Sequence, residues 1–143
     1  VPRSSRWQTY RRHGFYFREV AMLTIALGFC LHLFRVIFGE DVTLRYAVTL
    51  TTDVLLMIPM TYAAIAGIAS YRRMMFANRA HKIALTASLV YITASVPLHI
   101  YVAFVMGDVS FYVHMAGYWF SYLLICVVYP AFLFMLWRLQ YRN

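Results

Sequence analysis

The chain has 143 residues, of which 63% are hydrophobic and 13% charged; soluble domains run near one half and one quarter, so the composition excludes a water-soluble globular protein. A formal charge of +8 has the sign a nucleic-acid binder needs. The basic residues, however, cluster beside the ends of apolar stretches, which is a topology signal and reads against nucleic acid as a partner.

Residues 1–16 form a basic amphipathic arm, with Arg3, Arg6, Arg11 and Arg12 interleaved with Trp7, Tyr10, Phe15 and Tyr16. Rings of this kind sit at headgroup level and guanidinium groups among phosphates, so the arm is expected to meet anionic lipids or to dock on a partner subunit. The transmembrane domain follows over 17–143, with spans predicted at about residues 17–38, 46–70, 83–106 and 112–137, each near or beyond the roughly 20 residues that cross a bilayer. The first run is too long for a signal-peptide core and no small-residue cleavage site follows it, so it reads as a mature span. Gly39-Glu40-Asp41 ends it with a turn signal and two charges.

The second span is polar in its first half, through Thr49, Thr51, Thr52 and Asp53, and rich in small residues in its second, through Ala63, Ala64, Ala66 and Gly67. Small residues let neighbouring backbones approach closely inside a membrane. Pro59, Pro97 and Pro130 fall inside spans two, three and four, where each removes a backbone hydrogen bond and bends the axis. Phe111, Tyr112, Tyr118 and Trp119 at one end of the fourth span, with Trp137 and Tyr141 at the other, form an interfacial aromatic belt. Tyr62, Tyr91, Tyr101, Tyr122 and Tyr129 lie deeper and need hydroxyl partners. His13 and His81 sit in basic segments and read as ordinary surface residues.

Arg72, Arg73, Arg79 and Lys82 share a side with the basic arm and with Arg138 and Arg142, while Glu40, Asp41 and Asp108 lie opposite. The positive-inside rule then predicts an all-α integral membrane protein, a four-helix up-down bundle with both termini in the cytoplasm.

His32, Asp53 and His99 fall on three different spans at nearly one depth, roughly 9 to 11 Å below the outer boundary at 1.5 Å per residue. Ionisable groups inside a bilayer cost roughly 2.5 to 3.5 kcal/mol on insertion scales and persist when paired, coordinated or lining a polar cavity. His114 begins the fourth span just above this layer, and Arg35 lies one turn outward from His32. Two imidazoles facing across a bundle suit axial ligation of haem b by His32 and His99, with Arg35 available to a propionate. A transition metal is the second chemistry, held by His32, Asp53, His99 and His114. A third needs neither, since a His and Asp chain relays protons or binds a quinone headgroup. In the alternative reading no cofactor is bound, and the layer only registers the helices of a scaffold or of a transporter subunit.

Soluble catalytic signatures such as HExxH, CxxCH, a glycine-rich phosphate loop and GxSxG are absent, so the chain is not expected to be catalytic on its own. The expectation is a small subunit of a larger membrane complex, one moving electrons, packed against other transmembrane subunits.

Overall fold

A computed structural model describes the backbone of residues 4–142 and the side chains from Tyr16 to Arg142. The basic arm expected over residues 1–16 therefore lies, Tyr16 apart, outside the described side chains. The described residues form seven α-helices: α1 (Ser4–Phe38), α2 (Glu40–Tyr46), α3 (Leu50–Ser70), α4 (Arg79–Ile100), α5 (Phe111–Met115), α6 (Tyr118–Leu123) and α7 (Tyr129–Trp137). A π-helical stretch, Tyr101–Met106, extends α4, and a second, Leu124–Val128, joins α6 to α7. The result is four segments long and apolar enough to cross a membrane: Tyr16–Phe38, Leu50–Arg73, Arg79–Met106 and Tyr118–Trp137.

Local chemistry sets the boundaries. Gly39 adopts a positive φ of 84° that ends α1, and Glu40 and Asp41 then occupy the first turn of α2, where carboxylates suit a helix N-terminus. The segment after Gly39 is thus a short helix, and the next span starts at Leu50 instead of near Tyr46. A capping box delays it: Thr49 Oγ1 accepts from the Thr52 N–H at 3.2 Å and Thr52 Oγ1 from the Thr49 N–H at 2.8 Å. Likewise the region from 112 is broken at Gly117, which separates α5 from α6.

The spans pack in a ring, α1 on α3, α3 on α4, α4 on α7 and α7 on α1. Gly67 of α3 lies where a Cβ would overlap the side chains of Leu89 on α4 and Phe17 on α1. Ala63, Ala64 and Ala66 are buried beside it while Ile65 and Ile68 face outward, as close backbone packing requires where lipid supplies no hydrophobic drive between helices. Just before α4 begins, residues 74–75 pair antiparallel with 140–141.

His81 corrects the sequence reading. It is buried, not a surface residue. Asn78 Oδ1 caps its backbone N–H at 2.8 Å, its Nδ1 accepts from the Ala77 N–H at 3.0 Å, and the remaining Nε2–H donates to the Met135 carbonyl at 3.0 Å. Since Nδ1 is an acceptor, the ring is the Nε2–H tautomer, tying the start of α4 to α7. The deep tyrosines divide. Tyr91 and Tyr129 share a hydroxyl–hydroxyl bond of 2.5 Å, whereas Tyr62, Tyr101 and Tyr122 are exposed on the outer surface.

Candidate functional site

Because the capping box starts α3 late, Asp53 falls in the first helical turn and not two turns down the span. It is nonetheless buried, because its neighbours come from two other elements. His99, near the end of α4, donates from Nδ1 to Asp53 Oδ1 at 2.5 Å. Tyr112 of α5 reaches the same carboxylate, with its hydroxyl 3.1 Å from Oδ1, 3.0 Å from Oδ2 and 2.9 Å from His99 Nδ1. A carboxylate accepting from both places the imidazole proton on Nδ1, leaving His99 Nε2 without a bond to any described residue. Burial, and after it the charge of Asp53, raises the Tyr112 phenol well above its ordinary pKa, so it acts as a neutral donor.

A second polar group stands on α1. Arg35 is buried and donates from Nη2 to Glu40 Oε1 at 2.7 Å and to the Ala116 carbonyl at 2.9 Å. Its Nη1 donates to Ser121 Oγ at 3.1 Å, and its guanidinium lies 5.0 Å from the Tyr118 ring centroid. The Arg35 Nε is buried with no partner among the described residues. His32 Nδ1 lies 2.9 Å from the same Ser121 Oγ. Arg35 only donates, and Ser121 Oγ has no other hydrogen-bond partner among the described residues, so the arrangement that satisfies the serine hydrogen is donation to His32 Nδ1, with the ring proton on Nε2. His32 and His99 are therefore complementary. One offers an Nε2–H donor, the other an Nε2 lone pair.

Both rings line one cavity of about 210 Å³ between α1, α3, α4 and α6. Its walls are mainly apolar, with Leu56, Met60, Ile92 and Phe120 among them, and Thr43 and Leu44 of α2 contribute from the side of the short helix. Among the described residues, Arg35 is the one Arg or Lys on the lining.

Of the residues expected at the site, Asp53 meets His99 directly, and His32 and His99 share the cavity while keeping separate Nδ1 partners. His114 points elsewhere: it is exposed, and its Nδ1 bonds the Ser110 carbonyl at 2.8 Å. Among the described residues no three His, Cys, Asp or Glu side chains group so as to hold a metal ion. Arg35, expected to be available to a propionate or to meet an acidic group, meets Glu40. Tyr112 and Ser121 were not anticipated. Tyr112 looked like belt, and a lone serine in an apolar run carries no signal of its own, although Tyr112 does begin the predicted fourth span close to the ionisable layer.

No protein-family model, curated protein or solved structure matches this chain.

Proposed function

We propose that the chain is a small subunit of an integral membrane complex that moves electrons, and that the cavity between its spans holds a redox-active group. One observation carries this reading: His32 and His99, from helices that face each other across the ring, line a single cavity, each with Nδ1 anchored to a protein partner. Anchoring one nitrogen to orient the other toward a bound group is the usual arrangement of an imidazole that serves a cofactor or ligand. Haem b, if bound, would be held through Nε2 of these two residues and would supply one-electron transfer, which requires His32 to move its ring proton from Nε2 to Nδ1. The exposed apolar faces, with Phe104, Trp119 and Trp137 outward, would meet lipid and partner helices, and the basic arm anionic headgroups.

The spans would alternate in direction, with both termini cytoplasmic. Close contacts support this: the start of α1 lies by the end of α3 at Phe17 and Gly67, and the end of α1 by α6 at His32 and Ser121. The start of α3 similarly meets the end of α4, and the start of α4 the end of α7. The positive-inside rule then orients the bundle.

The second reading, a cofactor-free scaffold or transporter subunit, is favoured by the mutual satisfaction of Asp53, His99 and Tyr112, which by itself registers three elements. The experiment is a reduced-minus-oxidised visible spectrum of the purified protein with elemental analysis and mass spectrometry of an organic extract. A redox-active group near one per chain, lost in His99→Leu with the fold retained, is the expected result. Folded, colourless protein carrying no such group would leave the scaffold.

A further inference from the structure

The two histidines on the cavity lining differ in hydrogen-bonding sense, and this difference constrains what the cavity can hold. We infer that the ligand is a neutral, lipid-soluble quinol, lying between His99 and His32; this rests on the reading of the cavity as a redox site. Three observations converge on that class.

The first is charge. Arg35, the single Arg or Lys on the lining among the described residues, is neutralised by Glu40 at 2.7 Å. An anionic ligand would therefore lack a free counter-charge and pay its full desolvation cost, whereas an uncharged one would not. The propionates of a haem fall on the wrong side of this test.

The second is tautomer. His32 presents Nε2–H when Ser121, which already accepts from Arg35 and has no other partner among the described residues, gives its hydrogen to Nδ1. Iron ligation needs a lone pair at that nitrogen. A ligand oxygen that accepts a hydrogen bond needs the proton where it is. His99 presents the opposite, an Nε2 lone pair suited to a hydroxyl donor, and Asp53 stands on its far side at Nδ1 to balance any positive charge gained by the ring. A quinol has two hydroxyl groups on opposite edges of an apolar ring; one donates to His99 while the other accepts from His32. The buried Arg35 Nε, unpartnered among the described residues, is a further donor on that side.

The third is the wall. Most of the remaining lining is aliphatic and aromatic, with Ile25, Leu56, Met60, Ile92 and Phe120, as expected for a flat apolar body with few placed polar contacts.

The test uses the full chain in nanodiscs of saturated, quinone-free lipid. Decyl-ubiquinol is titrated by tryptophan fluorescence beside its bis-methyl ether, which keeps the apolar body and partitioning but has no hydroxyl hydrogen. The expected result is saturable binding of the quinol at one site, with the ether weaker by about tenfold or more, the scale of one lost hydrogen bond in an apolar site. Equal binding of quinol and ether overturns the quinol assignment. A haem band in the purified protein with no quinol binding also overturns it while leaving the redox-site reading intact, and absence of every redox-active ligand overturns both. His99→Leu, which removes the accepting nitrogen, is expected to lose the discrimination between quinol and ether; discrimination kept in a folded His99→Leu protein counts against the assignment.

Discussion

Ser121 is fully buried, and its hydroxyl stands between Arg35 and His32. Replacing it with alanine leaves a guanidinium nitrogen and an imidazole nitrogen without that partner in an apolar setting. Ser121→Ala is expected to lower stability by about 1 to 3 kcal/mol, measured by thermal unfolding in detergent micelles, and to release the His32 tautomer, which nitrogen chemical shifts would report. A stability change near zero would mean that the hydroxyl does not organise this end of the cavity. Tyr112→Phe keeps the ring against His99, at 5.1 Å between centroids, and removes only the donor to Asp53. A hydrogen bond to a charged group contributes about 1.5 to 3 kcal/mol, and the loss in the same unfolding assay should fall toward the lower end, since Tyr112 is only half-buried. These effects were invisible in sequence, because neither residue belongs to a motif and each acquires its role from the element that happens to lie opposite.

At the scale of elements, the meeting of α1, α3 and α4 depends on a missing side chain. Gly67→Ala forces its new methyl against Leu89 and the Phe17 ring, and overpacking of this kind costs about 1 to 3 kcal/mol. Two residues on, Ala69 is exposed, and Ala69→Leu should stay within about 0.5 kcal/mol. Equal behaviour of the two variants in thermal unfolding would refute the packing account. The small strand at 140–141 makes a prediction about pH. Burial against the end of the bundle where α3 meets the start of α4 pushes the Tyr141 phenol up to about 12, from 10.0 in the free side chain. A phenol whose folded pKa is raised supports docking fully below its unfolded value and loses that support as pH climbs through the folded one. The contribution of Tyr141 should therefore hold to about pH 10 and fade by about pH 12. The tyrosinate absorbance of wild type minus Tyr141→Phe is the check, and ionisation of that group near its free value would contradict it.

For the whole molecule, the proposed orientation can be read with a membrane-impermeant thiol reagent after Cys30 and Cys126 are changed to serine. Asp108→Cys should label only from outside in sealed cells and Arg142→Cys only after permeabilisation; labelling of both from outside would reject two termini on the cytoplasmic side. Much of this scale was legible in advance. Hydropathy summed over about 20 residues identifies spans whatever they pack against, so four apolar helices and the pairing of Asp53 with some neighbour were readable from residue types. The site was legible only as a depth. His32, Asp53 and His99 lie near one level by residue counting, yet counting cannot supply rotation about each axis, and one residue turns a helix by about 100°. Rotation and the short connections decided which groups meet. Gly39 with a carboxylate-rich first turn makes α2, which brings Glu40 to Arg35; the break at Gly117 makes α5, which brings Tyr112 to Asp53. His81, which shares its residue type with His32 and His99, became a buried tie because the α4 cap turns its ring toward Met135. The amino-acid sequence alone determined a membrane chain of four apolar helices carrying a costly ionisable layer, since those properties are sums over composition and spacing. The tertiary structure alone decided partners, tautomers and the cavity, since a hydrogen bond depends on position and direction to within a few tenths of an ångström, which no one-dimensional pattern encodes.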